Sequence, residues 1–470
     1  MRFLLLTIAL SIAALHSVSG RGKEAKPRIV ILTDVAPGDV EPDDVQSMIR
    51  LLAHADLFEI EGLILTAGFN SCERDYPVEW KDSLLTVIDA YEKDLPNLMK
   101  RSGQNGFRAP AKENRLQKIG YWPSADYLRS RVRIGSLRSG VAMLGDANDS
   151  PGSRLIMELA QEKDDRPIYV AAWGSANTVA QALWRAEQDG NGELLVRMLG
   201  KLRVYAITDQ DVECRYRGRY DLNLSSHQWM RERFGEALFF IWDETSWLSH
   251  CMAGPSYWDA YAAQVQHKGH LGECYPKFKY GVEGDSPSFI YITPNGLNDP
   301  ENPTAGGWSG LFGYGTGADG RTTCYGNADG RAKAASEKYV HRFYPAAFRN
   351  FAARMQWAAE GQGNRNPVVT VDGSKGLAPI RIAARPGTEV RLDASASTDP
   401  DGDRLTFKWW IMPEAGTYEG PASVDNADSA EAVLRLPDGA EGEIHLICEV
   451  EDDGTIPLTS YRRIVVTVRR

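Results

Sequence analysis

The hydrophobic period of this chain changes once, near residue 361, and that change dictates two folds rather than one. From residue 27 to about 355, short runs of β-formers alternate with longer amphipathic stretches. "RIVILTD" is followed by "PDDVQSMIRLLAHAD" and then by "EIEGLILTAG". A strand, a helix and a second strand in that order predict a parallel sheet covered by helices. Past the turn-rich "GQGNRNP" the period falls to two, in "TEVRLDAS", "LTFKWWIM", "GEIHLICEVED" and "YRRIVVTV". Short alternating strands separated by turn residues predict a β-sandwich. The expected architecture is an α/β domain over 27–360, mostly parallel sheet flanked by helices, and an all-β sandwich over 366–470. A length of 470 residues accommodates both.

Residues 1–20 read as an export signal, with Arg2 at the start, "FLLLTIALSIAAL" as apolar core and Val18-Ser19-Gly20 as a small-residue cleavage site. The mature protein is therefore expected to be secreted or periplasmic. No later segment is apolar over the ~20 residues that a membrane span needs. A net charge of −10 argues against a nucleic-acid polymer or an anionic membrane as partner. The six cysteines lack CxxC spacing, which disfavours zinc. In an exported chain Cys214, Cys251, Cys274 and Cys324 have the opportunity to form one or two disulfides, with pairing left open. Oligomeric state is likewise open.

The segment "TDVAPGDVEPDDVQS" carries the chemistry. Asp34 falls at the end of a strand expected to be buried, and Asp43 and Asp44 open the helix that follows Pro42. Acidic residues at a helix N-terminus are ordinarily favoured by the dipole. Asp34 has no such explanation, and carboxylates converging on a strand end suit a hard cation with oxygen ligands, Ca²⁺ above all. Asp39 and Glu41, in the turn between, are expected to be solvated.

"TD…PDDVQS…LL" after a strand resembles the Asp-rich opening of the nucleoside hydrolases. It is more closely similar to a family of secreted bacterial proteins described as cellulose-binding, in which a nucleoside-hydrolase-like domain precedes an immunoglobulin-like one. "AAWGSANTVAQAL" resembles the segment after the central strand of the nucleoside hydrolases, and "EGDSPSFIYITPNGLNDPENPTAGGWSG" is similar to the second family's own signature. "STDPDGDRLTFKWW" resembles polycystic-kidney-type modules, where a Trp fills the core. Asp399, Asp401 and Asp403 alternate there as cation ligands can, but EF-hand spacing is incomplete and a solvated turn is expected.

The resemblance implies one Ca²⁺ at the strand ends. Asp34 would be a ligand and the general base for a metal-bound water, Asp44 and Asp285 further ligands, and Asn177 a ligand through its backbone carbonyl. Asp43 would bind a sugar hydroxyl or support the site. The departures are specific: five extra residues separate Asp34 from Asp43, Leu32 replaces the motif's first Asp, and Gly284-Asp285 stands for a His-Asp pair. Glu283 is then the nearest candidate for the general acid. Asp221 and Asn223 of "YDLN", or Gln210 and Asp211 of "ITDQDVE", are alternative sugar contacts. Trp173, Trp308, Phe312 and Tyr314 are candidates for an aromatic platform, with Asn295 and Asn298 as polar contacts beside it. Two functions remain in contention. One is a Ca²⁺-dependent hydrolase acting on an N-riboside or a plant-polysaccharide-derived glycoside. The other is a non-catalytic carbohydrate (cellulose)-binding protein on the same scaffold.

Overall fold

The computed structural model describes residues 25–69, 75–107, 118–190, 192–211, 225–279 and 281–469. β1 (Arg28–Thr33) occupies the middle of an eight-stranded sheet because both its faces are apolar. Ile29 and Ile31 enter the core layer on one side, Val30 and Leu32 the layer on the other. That is why "RIVILT" shows no alternation: helices cover both faces. The other strands are β2 (Glu59–Leu65), β3 (Val132–Ile134), β4 (Ile168–Ala172), β5 (Leu202–Ile207), β6 (Phe239–Asp243), β7 (Gly313–Thr316) and β8 (Thr323–Gly326). Their spatial order is β3-β2-β1-β4-β5-β6-β8-β7, parallel except for the final β7–β8 hairpin. The chain leaves β1 towards β2 on one side and reaches β4 on the other, so the order reverses between β1 and β4. Open parallel sheets bind ligands outside the strand C-termini at such a reversal.

The helix Gly330–Glu360 closes this layer and also faces the sandwich. The sandwich comprises a four-stranded sheet (Ile380–Ala384, Thr459–Val468, Gly442–Asp452, Leu405–Ile411) and a three-stranded one (Glu389–Asp393, Glu431–Arg435, Ser423–Asp425). Trp409 is buried inside it. Its neighbour Trp410 points the other way, stacks on Tyr339 of the long helix, and has the Arg342 guanidinium 3.8 Å above its ring.

The glycine-rich loop after residue 293 does other work than the sequence suggested. Tyr461 and Arg463 of the sandwich donate backbone N–H groups to the carbonyls of Asn295 (3.2 Å) and Gly296 (3.0 Å). The Arg463 guanidinium donates to the Leu297 and Gly306 carbonyls at 2.8 and 2.7 Å. Asn298 is spent inside the loop, its amide donating to Ile290 and Thr293 carbonyls. Trp308 is 4% exposed and meets Tyr461 edge-on at 6.3 Å. Asn295, Asn298 and Trp308 therefore belong to an interdomain latch and not to a sugar platform.

The "DPDGD" turn also differs from a merely solvated one. Asp401 receives Arg101 of the first domain at 2.6 Å and Arg365 at 2.8 Å. Cys251, Cys274 and Cys324 are free thiols, so the disulfides allowed by the sequence are not made among them. No helix among the described residues is long and apolar enough to cross a membrane.

Candidate functional site

One strand exit, one helix start and one distant loop deliver the acidic residues to a single cleft. Asp34 follows β1 directly, 2% exposed, and two glycines make room for its carboxyl. A Cβ on Gly68, past β2, would stand 1.7 Å from Asp34 Oδ2, and one on Gly174, past β4, 2.7 Å from Oδ1. The Phe69 N–H donates to Asp34 Oδ2 at 3.2 Å, and the Tyr76 hydroxyl donates to the Asp34 carbonyl. Asp43 and Asp44 stand in the first turn of α1 (Pro42–Ala53), where Pro42 starts the helix and Glu41 makes no side-chain cap. Asp44 is 3% exposed and accepts from the Thr33 hydroxyl. Asp285 arrives from far along the chain, 4% exposed, and its Oδ2 has no hydrogen-bond donor among the described residues.

These residues line a cleft of about 550 Å³. Phe69, Ile207 and Trp247 form its apolar wall, and Gln210 and Lys279 reach it as well. The structure brings Asp34, Asp43, Asp44 and Asp285 together on this one cleft. Glu41, expected in solvent, also lines the cleft, and one carboxylate oxygen each from Glu41, Asp43 and Asp44 lie within 4.8 Å of one another.

So much negative charge in one place is visible in the acid–base behaviour. Burial, then the neighbouring Asp43, pushes Asp34 up to about 7. Burial, then Asp285, Asp34, Asp43 and Glu41, raises Asp44 well above the usual carboxylate range. Asp285 is raised in the same way, by burial and then by Asp43, Asp34 and Glu41. Asp43 is raised by loss of solvent, against the backbone N–H groups at its helix start. Such a set is held ionised only by a cation. Oxygen donors, an orphaned buried carboxylate oxygen and three ligand atoms within one coordination sphere fit a hard divalent ion.

Glu283 does not belong to this set. It is wholly buried with φ +56, and its Oε2 receives Arg50 at 2.6 Å, Tyr261 at 3.1 Å and His250 at 3.4 Å. Burial works to raise its pKa, but the Arg50 guanidinium and His250 overrule it and hold the carboxyl below the usual range. A group held ionised has no proton to give, so the general-acid expectation for Glu283 is corrected. At the adjacent departure a Cβ on Gly284 would stand 2.6 Å from Asp43 Oδ2, so a side chain there requires the Asp43 carboxyl to shift.

The remaining candidates divide. Gln210 lines the cleft, donating to the Trp173 carbonyl at 2.6 Å and accepting the Phe69 N–H at 3.0 Å. Asp211 is turned inward and saturated by Ser175, by the Ser226 N–H and hydroxyl, and by the His227 N–H, so it anchors the helix Ser226–Phe234. Trp173 is fully buried with its indole N–H on Ser288, 2.8 Å away, and offers no face. Asn177, at the start of its helix, gives its side-chain amide to the Met143 carbonyl at 3.3 Å and does not line the cleft. Asp221 and Asn223 lie outside the described residues. Sequence reasoning missed Phe69, Trp247 and Lys279; Phe69 alone had a signal, as a residue just past a buried strand.

A reversing parallel sheet with an acidic cleft at its switch point, joined to a β-sandwich, defines a nucleoside-hydrolase-like protein with a C-terminal all-β domain. Residues 28–312 match the family "Cellulose-binding Sde182, nucleoside hydrolase-like domain", and the chain belongs to it. Residues 389–468 match "Cellulose-binding protein Sde0182, C-terminal domain". A solved structure, a nucleoside hydrolase-related hypothetical protein from Saccharophagus degradans that is associated with carbohydrate metabolism, is 31% identical. The likeness covers 95% of this chain and 100% of that one, with a TM-score of 0.79. The PKD domain from KIAA 1837 protein is 18% identical over 19% of this chain and 81% of its own, TM-score 0.14. The effector protein XOO4466 is 9% identical over 72% of this chain and 95% of its own, TM-score 0.35. Among curated proteins none matches.

Proposed function

We propose that the cleft binds calcium together with the hydroxyls of a sugar, and that this is an exported hydrolase of glycosyl bonds. Its substrate would be an N-riboside or a plant-polysaccharide-derived glycoside. The observation that carries the reading is the convergence of Asp34, Asp43, Asp44 and Asp285, with an orphaned buried oxygen, on one cleft at the sheet's switch point. Asp34, Asp44 and Asp285 would hold the ion, which when bound supplies charge neutralisation, hydroxyl binding and a more acidic water. Asp34 is the residue to accept the water's proton. Its carboxyl is wedged between Gly68 and Gly174 and oriented by the Phe69 N–H. Asp43, beside Gly284, is suited to a sugar hydroxyl. Positive charge building at the anomeric carbon is stabilised by the surrounding carboxylates. Phe69 and Trp247 supply faces for a sugar ring or leaving group.

A second reading, carbohydrate binding without turnover, is favoured by the engagement of Glu283 with both Arg50 and His250. Neither is placed to protonate a leaving group, and the family's description as cellulose-binding agrees with it. The deciding experiment offers nucleosides and plant-polysaccharide fragments to the purified protein with and without EDTA. Turnover that EDTA and Asp34→Asn both abolish supports hydrolysis. Sugar binding that survives Asp34→Asn with no turnover of any substrate establishes the binding protein instead.

A further inference from the structure

The inserted turn between Asp34 and Asp43 ends in Glu41, a residue whose position at the start of α1 invites a trivial explanation. It does not serve as the helix cap: Glu41 occupies the N-cap position but makes no side-chain capping hydrogen bond. Instead Val40, Glu41 and Pro42 all line the acidic cleft. One oxygen each from Glu41, Asp43 and Asp44 lie within 4.8 Å of one another. With calcium–oxygen distances of roughly 2.3–2.6 Å, ligands on opposite sides of one ion are about 5 Å apart, so all three oxygens fit a single coordination sphere. An acidic cluster alone would not establish a ligand site. The independent observation is Asp285, 4% exposed and lining the same cleft, whose Oδ2 finds no donor among the described residues.

The turn itself is tied down. Lys279, across the cleft, donates its ammonium to the Asp39 carbonyl at 3.0 Å, while the Asp39 side chain stays 88% exposed. The tether fixes the backbone two residues ahead of Glu41, and the exposed Asp39 carboxylate keeps only a solvated ion pair with the same ammonium, 3.7 Å away. The two acids of the insertion, alike in sequence, are therefore unlike in position.

We infer that Glu41 is a ligand of the cation, supplied by the insertion and added to Asp34, Asp44 and Asp285. The inference rests on the cation reading of the cleft given above and adds a residue to it. A shell this rich in carboxylate oxygens favours calcium, which accepts six to eight oxygen ligands, over magnesium, which keeps several waters and demands octahedral geometry.

Calcium titration calorimetry on the full chain tests this, with Glu41→Gln, Glu41→Asp and Asp39→Asn beside the unaltered protein. The expected result is a calcium Kd raised about tenfold or more by Glu41→Gln and less by Glu41→Asp. Asp39→Asn, with equal charge loss two residues away, is expected to stay within about twofold. Circular dichroism of each variant verifies the fold, and the half-exposed position of Glu41 makes unfolding a minor concern. Glu41→Gln binding calcium as tightly as the unaltered chain overturns the ligand role while leaving the cation reading intact. An unaltered protein that binds no calcium overturns both.

Discussion

The backbone of Gly296 lies so close to Tyr461 that a Cβ at position 296 would stand 2.0 Å from the Tyr461 carbonyl oxygen. Gly296 also has φ +83, a conformation that side chains resist. It is the innermost point of the latch between the domains, flanked by the Tyr461 and Arg463 backbone hydrogen bonds. Gly296→Ala is expected to lower stability by about 2–3 kcal/mol through strain and lost seam contacts. Differential scanning calorimetry reads this as a lower midpoint or as separate melting of the two domains. Calcium affinity, set in a different part of the molecule, should not move. A wild-type melting curve would remove the latch from the account.

Arg50 and Glu283 give the second expectation. Both are almost fully buried and paired at 2.6 Å, and Arg50 also donates to the Ala347 carbonyl of the closing helix at 2.7 Å. Removing one member of a buried pair leaves the other uncompensated, typically at about 3–5 kcal/mol. Arg50→Met should therefore destabilise by about that amount in chemical denaturation. Glu283→Gln, which keeps the shape, should alter stability but leave calcium affinity unchanged, because the carboxyl is engaged by Arg50, Tyr261 and His250 and does not line the cleft. Loss of calcium binding in Glu283→Gln would return this residue to the site.

How much of this was legible in the sequence depends on the kind of interaction. The change of hydrophobic period gave two fold types, and the unalternating "RIVILT" marked the central strand, because both patterns follow from burial alone. Asp34 stood out since no local motif explains a carboxylate at a buried strand end. Asp285 came only through resemblance; its partner carboxylates are some 240–250 positions away and no local pattern marks it. The failures share a cause. Trp308, Asn295 and Asn298 looked like a sugar platform because the loop composition suits binding, yet an interface between domains uses the same residues. Glu283 looked like an acid for want of a visible partner, and that partner, Arg50, lies 233 positions earlier.

The acidic cleft sets a pH expectation whose sign can be worked out. Asp34 is raised from its ordinary 3.8 to about 7, and Asp43, Asp44 and Asp285 are raised too. Between those values the folded state binds more protons than the unfolded chain, so stability without a cation falls as pH rises from about 4 to about 7. Each proton involved contributes a slope of about 1.4 kcal/mol per pH unit. A bound cation removes the repulsion, so its stabilising effect must grow over the same window. The check is the difference in melting temperature between saturating calcium and EDTA across that range, a difference that cancels other titrating groups. It is expected to widen steadily towards neutral pH. A constant difference would mean that the carboxylates do not share the ion.

Gly68 supplies the most direct test of how Asp34 is held. The Asp34 side chain leans on the Gly68 backbone, and a Cβ there would fall 1.7 Å from Oδ2 and 2.5 Å from the Asp34 Cβ. Relief requires the aspartate to rotate out of its place in the cleft or the β2 exit to shift, and the Phe69 N–H bond to Asp34 would be disturbed by either. Misplacing a reacting group by about 1 Å from its productive position commonly costs on the order of 100-fold in rate. Gly68→Ala is therefore expected to abolish any measurable turnover and to weaken calcium binding about tenfold or more, a loss of about 1.4 kcal/mol. Circular dichroism should remain native, since the substitution adds one methyl group at the edge of a cleft. Calorimetric calcium titration separates the possibilities: an unchanged Kd with lost turnover makes Asp34 a base rather than a principal ligand. An unchanged Kd with unchanged turnover would show that the carboxyl need not sit between the two glycines at all.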